Sequence, residues 1–163
     1  MDSFGLYLSL GSNLGDREGN LRSAIKLLED YFSSEAKVSS FIETEPWGFD
    51  SSYLFINCAV RFDIPAAGQN PDLHSHRILK VCKEIEASLG RESDVRYDAN
   101  GKRIYSSRPI DIDILFYGSH RVNLQDLTIP HPLISERDFV KIPLKEIASE
   151  DIIECFPHLF SSK

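Results

Sequence analysis

Asp111 and Asp113 are the residues whose type and spacing most directly permit chemistry. They lie in Arg108-Pro109-Ile110-Asp111-Ile112-Asp113-Ile114-Leu115-Phe116-Tyr117, where apolar and acidic residues alternate. Period-2 alternation marks a β-strand with one face on a core, so Ile110, Ile112 and Ile114 point one way and both carboxylates the other. Two residues along a strand advance about 6.5–7 Å, which lets both carboxylates converge on one centre. Strands deplete Asp, and like charges on one face repel, so a compensating partner is expected. A divalent cation fits. Mg²⁺ takes one or two carboxylates and completes its shell with water and substrate phosphates. Arg108, Arg137 and His131 suit phosphate oxygens, with Arg binding bidentately. The expected chemistry is metal-dependent phosphoryl transfer, which needs positioning and charge neutralisation more than a covalent nucleophile. Asp-x-Asp alone is a weak motif; Arg108 and the basic stretch before it strengthen the case.

Other residues carry chemistry less specifically. Asn57 sits in the apolar run Phe55-Ile56-Asn57-Cys58-Ala59-Val60-Arg61-Phe62. A buried amide must find partners, so it either bonds neighbouring backbone or meets the donor–acceptor edge of a heterocycle. Trp47, in a loop with Pro46, Gly48 and Phe49, either covers a site or packs that loop down. Gly11-Ser12-Asn13-Leu14-Gly15-Asp16 is a turn whose backbone N–H groups could cradle a phosphate. It lacks the G-K-[ST] of a P-loop, and a plain strand-to-helix connection explains it equally well. His74 and His76 stand two apart at the start of a helix, on different faces, and read as solvated surface rather than a metal pair. Residues 91–108 hold five basic residues against three acidic ones, a positive segment in an acidic chain. A long basic loop abutting an Asp-x-Asp strand is expected to be a flap over a polyphosphate.

The elements that must position these groups follow from periodicity. Residues 4–10 alternate as a first strand, and Asp16 is the expected N-cap of a helix carrying Leu21, Ala24, Ile25 and Leu28 inward. Residues 38–44 and 55–62 form two further strands. Asp72 is the expected N-cap of a second helix reaching Leu89, with Gly90 as its C′ residue. Asp98-Ala99-Asn100-Gly101 is a turn. The acidic strand follows, then Ile129-Pro130-His131-Pro132 and an apolar-patterned tail. The order β-α-β-β-α-β predicts an α+β fold of the ferredoxin-like, split βαβ kind, with both helices on one face of an antiparallel sheet and the other face free for a site.

Bulk properties narrow the function classes. The 163 residues suit one domain, residues 1–163, with a sizeable core. A net charge of −7 argues against a general nucleic-acid binder, though local arginines can still attract a small anion. Cys58, Cys82 and Cys155 lack any pairing spacing and fit a reducing compartment, with Cys58 and Cys82 as small core residues. No signal peptide or membrane-spanning run is evident, so a cytoplasmic protein without membrane partners is expected, most simply a monomer.

Four blocks in order resemble the 6-hydroxymethyl-7,8-dihydropterin pyrophosphokinase family. They are Leu8-Ser9-Leu10-Gly11-Ser12-Asn13-Leu14-Gly15, then Thr44-Glu45-Pro46-Trp47-Gly48 with Phe55-Ile56-Asn57, then Arg108-Pro109-Ile110-Asp111-Ile112-Asp113, and last Ile129-Pro130-His131-Pro132 with Arg137-Asp138-Phe139. The resemblance implies an ATP-dependent diphosphokinase of folate biosynthesis that passes pyrophosphate to the pterin alcohol and releases AMP. It implies two Mg²⁺ ions on Asp111 and Asp113, and a pterin pocket of Thr44, Pro46, Gly48, Phe55, Asn57 and Phe139. Phe55 and Phe139 would sandwich the ring. It assigns Lys83, Glu86, Arg91, Tyr105, Arg108, Ile114, Thr128, His131 and Arg137 to the nucleotide, with Arg91 and Arg108 catalytic, and expects loops 45–52 and 91–107 to close over the substrates. This chain departs from the family at Ser106, where Gly is frequent, at Tyr105, where Trp is commoner, and at Phe55, which lacks a frequent hydroxyl.

Two other classes compete on the same residues. A ferredoxin-like RNA-binding or ligand-sensing module would want exposed sheet aromatics and a basic face, against which the charge and the carboxylate pair count. Another two-metal nucleotidyl enzyme would explain Asp111 and Asp113 but not Asn57 or the aromatic pair.

Overall fold

A computed structural model of the chain describes residues 3–45, 54–65, 70–90, 96–104 and 109–161. The expectations for Pro46, Trp47, Gly48, Arg91, Tyr105, Ser106 and Arg108 lie outside those residues. In chain order the elements are β1 (Ser3–Ser12), α1 (Arg17–Phe32), β2 (Lys37–Val38), β3 (Ile42–Thr44), β4 (Phe55–Pro65), α2 (Pro71–Ser88), β5 (Arg96–Tyr97), β6 (Arg103–Ile104), β7 (Asp111–Tyr117), β8 (Val122–Leu124), β9 (Leu127–Ile129), α3 (Asp138–Ile147) and α4 (Glu150–Cys155).

Alternation in β1 sets the architecture. Leu6, Leu8 and Leu10 face one side and pack with Ile56, Cys58, Val60 and Phe62 of β4, with Ile112 and Ile114 of β7, and with the inner faces of α1 and α2. β1 pairs antiparallel with β4 on one edge and with β7 on the other, and β2 and β3 both pair with the far edge of β4. The order β2-β4-β1-β7 with every pairing antiparallel is the split βαβ arrangement. The α+β, ferredoxin-like expectation holds.

The differences are local. The single strand expected over 38–44 is two short strands, because Ser39 turns inward between them and its Oγ accepts from Ala59 N at 2.8 Å. The N-cap of α2 is Asn70 rather than Asp72. Pro71, with no N–H to satisfy, takes the first helical position, and the Asn70 side chain accepts from Leu73 N at 3.1 Å. Asp16 does cap α1, accepting from Gly19 N at 3.0 Å, and Gly90, at φ +98, follows the end of α2. The Asp98–Gly101 turn joins β5 to β6, with the Asp98 carboxylate accepting from the amides of Asn100 and Lys102.

The second face of the sheet is not bare, as a free face for a site would require throughout. Tyr7, Ala59, Leu115 and Phe116 form a second core there with Ile134, Val140, Leu144, Ile147, Ile152 and Phe156 from the C-terminal segment. A β-bulge makes this possible. Leu6 pairs with Tyr117, Tyr7 with Phe116, and Leu8 with Ile114, so β7 carries one residue more than β1 at that point. Leu115 and Phe116 therefore both join the second core, while Tyr117 returns to the first.

Candidate active site

The C-terminal segment covers the apolar half of that second face and leaves the polar half. Outward positions on this half are Gly11 and Ser9 of β1, Phe55 and Asn57 of β4, and Asp111 and Asp113 of β7. The register lines them up: Gly11 pairs with Asn57 on one side and Asp111 on the other, and Ser9 pairs with Asp113. Adjacent strands lie about 4.8 Å apart, so the backbones of Asn57 and Asp111 stand roughly 10 Å apart with only a glycine between them. A side chain on this residue would crowd Asn57. A Cβ on Gly11 would come to 2.6 Å from Asn57 Oδ1 and 3.4 Å from Phe55 Cδ1.

On the β4 side, Asn57 Nδ2 donates to Thr44 Oγ1 at 2.6 Å, joining β4 to β3. Thr44 pairs directly with Phe55 at the last rung of that ladder. Asn57 is buried, whereas Thr44 and Phe55 are half-buried at the rim. Of the two options open for Asn57, a neighbouring side chain takes one amide hydrogen, and its carbonyl oxygen sits over the Gly11 gap.

On the β7 side, both aspartates are half-buried, and Arg137 Nη1 stands 3.8 Å from Asp113 Oδ2. The Arg137 side chain is buried and its guanidinium lies 5.6 Å from the centre of the Phe139 ring. Arg137 is placed by the start of α3, where its carbonyl accepts from Val140 N and Lys141 N at 3.0 Å each. His131 follows β9, and its main-chain N–H donates to Leu115 O at 3.1 Å. Its Nδ1 accepts from Leu133 N at 3.1 Å, which leaves the ring proton on Nε2. Burial, aided by the Arg137 charge and opposed by Asp111, lowers the imidazole to about 4, so His131 is neutral at pH 7.

β7 ends the sheet, and its outer edge is held by α2. Ile112 N, between the two aspartates, donates to Glu86 Oε2 at 2.8 Å, and Glu86 is buried. Lys83 lies exposed one turn earlier on α2, and Thr128 is exposed on β9. The side chain of Ile114 belongs to the first core.

The donor set discriminates among metals. Among the described residues no group of three or more His, Cys, Asp or Glu side chains could hold an ion. A pair of carboxylates without such a cage suits Mg²⁺, which relies on water and substrate phosphates, better than zinc or a high-coordination Ca²⁺ site. His74 and His76 are not simply solvated. His74 Nδ1 meets the Tyr117 hydroxyl at 2.5 Å and His76 Nε2 meets Asp126 Oδ2 at 2.9 Å. In the Gly11–Asp16 turn the Asp16 carboxylate takes the Gly19 amide, and Asn20 Nδ2 donates to Leu14 O at 2.9 Å. Ser9 escaped the sequence reading as a site position, and Gly11 entered it only as the start of the following turn. A glycine and a serine interrupting the outward side of an otherwise apolar strand were the available signal.

Comparison with known proteins bears on the same residues. The family model described as 7,8-dihydro-6-hydroxymethylpterin-pyrophosphokinase matches residues 7–149. A 2-amino-4-hydroxy-6-hydroxymethyldihydropteridine pyrophosphokinase of Porphyromonas gingivalis is 40% identical over 144 residues, covering 88% of this chain and 90% of that protein. The Bacillus subtilis protein of the same name is 36% identical over 88% of this chain and 78% of its own length. A folate synthesis bifunctional protein of Arabidopsis thaliana is 40% identical over 90% of this chain, which spans 28% of that longer protein.

Proposed function

The chain belongs to the 7,8-dihydro-6-hydroxymethylpterin-pyrophosphokinase family, and from that premise we propose that it converts ATP and 6-hydroxymethyl-7,8-dihydropterin to the pterin diphosphate and AMP. It is thus an ATP-dependent diphosphokinase of folate biosynthesis. The observation that carries the fuller reaction is the line Asn57–Gly11–Asp111 across three strands. It sets an amide suited to a heterocycle edge about two strand spacings from a carboxylate pair suited to Mg²⁺.

In this reading Asn57 and Thr44 hold the pterin edge, with Phe55 and Phe139 against its faces. Pro46 and Gly48 join that pocket by resemblance alone. Asp111 and Asp113 would hold two Mg²⁺ ions, whose chemistry would be to neutralise polyphosphate charge. Arg137 and the Nε2–H of neutral His131 donate to the phosphate oxygens. Lys83, Glu86, the Ile114 main chain and Thr128 are assigned to the nucleotide side. Arg91, Tyr105 and Arg108 are assigned there by resemblance alone. The alcohol oxygen of the pterin forms its bond to the β-phosphorus as the bond from that phosphorus to the AMP oxygen breaks, and the hydroxyl proton is lost to the medium.

The test is incubation with ATP, Mg²⁺ and 6-hydroxymethyl-7,8-dihydropterin, following nucleotide products. AMP with pterin diphosphate is expected; ADP, or no turnover, overturns the proposal. Asp111→Asn and Asp113→Asn should each lower kcat by at least about 100-fold while the melting temperature stays close to wild type. Wild-type turnover in either variant removes the metal role.

A further inference from the structure

Arg17 opens α1, yet its side chain reaches the β3–β4 side of the site. Its Nη1 donates to Glu43 Oε2 at 2.9 Å and to the main-chain oxygen of Leu54 at 2.9 Å. One guanidinium nitrogen carries two protons, so both bonds form together. Glu43 precedes Thr44 at the end of β3, and Leu54 precedes Phe55 at the start of β4. Arg17 therefore bridges the two chain segments just where the β3–β4 ladder closes on its Thr44–Phe55 rung.

That ladder has reason to need a bridge. β3 is three residues long, and the end of so short a strand opens readily. Opening the last rung would displace Thr44, whose Oγ1 accepts the Asn57 amide hydrogen and so fixes which way that amide points. The Arg17 side chain is 32% exposed and that of Glu43 51%, so the ion pair contributes little to global stability. The start of α1 has independent anchors in the Asp16 cap and the Asn20–Leu14 bond, and survives without it.

We propose that Arg17 is a positioning residue for the pterin subsite, holding Thr44, Phe55 and Asn57 in register by tying the ends of β3 and β4 together. The inference rests on assigning those three residues to the pterin. It concerns one substrate only: among the described residues, the Arg17 guanidinium bonds Glu43 of β3 and the Leu54 carbonyl before β4. Its loss separates the two substrates kinetically.

The experiment is steady-state AMP production with each substrate varied in turn, alongside calorimetric titration with a non-hydrolysable ATP analogue and Mg²⁺. Arg17→Ala should raise the pterin KM about tenfold, leaving kcat, ATP KM and analogue affinity within about twofold. Glu43→Gln, which keeps an acceptor oxygen, should stay near wild type, and Glu43→Ala should reproduce part of the KM rise without adding to Arg17→Ala. A pterin KM within about twofold of wild type in Arg17→Ala overturns the proposal, as does a parallel loss of nucleotide affinity. Should Arg17→Ala lose its fold by circular dichroism, Glu43→Ala decides alone on the same criteria. Failure of the wild-type protein to make AMP would instead overturn the assigned reaction, so the two failures are distinct.

Discussion

Gly11 is the residue on which the two halves of the site meet. Its neighbours across the sheet are Asn57 and Asp111, and the space its missing side chain leaves is filled by the Asn57 carbonyl. Substitution by alanine introduces a methyl group 2.6 Å from that oxygen, well inside contact distance. The amide is tied to Thr44 and cannot swing away without breaking a 2.6 Å bond. Gly11→Ala should therefore raise the pterin KM by about tenfold or more, with ATP KM little changed. Steady-state kinetics with each substrate varied checks it, and an unchanged pterin KM would show that Asn57 moves aside at no cost. Single residues of this kind were the least legible in the sequence. The two aspartates declared themselves by breaking an apolar pattern, whereas a glycine beside a turn has an obvious local explanation that hides its role across the sheet.

Among the elements, β7 is the most exposed to disturbance, since it carries two like charges and ends the sheet. Glu86 of α2 secures that outer edge by accepting the Ile112 amide at 2.8 Å, between those charges. Removing the carboxylate leaves a buried N–H without that acceptor, at a cost of about 1–3 kcal/mol. Glu86→Ala should lose about that much stability by chemical denaturation and should speed hydrogen exchange at Ile112; Glu86→Gln, which keeps an acceptor oxygen, should lose less. Exchange at Ile112 as slow as in wild type would rule out this anchoring role. Most elements were legible because their apolar periods are clean, as in Leu6, Leu8 and Leu10 of β1. Where a period breaks off, the sequence misleads. Residues 38–44 read as one strand running through Ser39 and Ser40. Instead Ser39 is buried against Ala59, and Ser40 bonds Glu146 of α3 at 2.7 Å. Such long-range partners have no local signature.

For the molecule as a whole, a neutral histidine enclosed beside a cationic arginine ties stability to pH. The folded-state value of His131, about 4, lies below its ordinary 6.5. Above pH 6.5 both folded and unfolded states hold the ring neutral. As pH falls from 6.5 towards 4, the unfolded chain takes up a proton that the folded one does not, so stability declines through that window, and below about 4 this contribution levels off. The wild type should lose stability relative to His131→Asn by at most about 1.4 kcal/mol per pH unit there, measured by denaturant titration across pH. Parallel curves for the two proteins would exclude His131 as the source. The fold class was legible from element order alone. That the C-terminal residues cover half of the second face was not, because their apolar pattern names no partner. The extra residue at Leu115–Phe116 reconciles these demands within one strand. It acts as a phase joint: on one side the alternation presents Asp111 and Asp113 outward, and on the other it returns Tyr117 inward against Phe4 and His74. Without that extra residue in the register, the same sequence would put Tyr117 on the outward face beside Asp111 and Asp113, since all three stand an even number of residues apart.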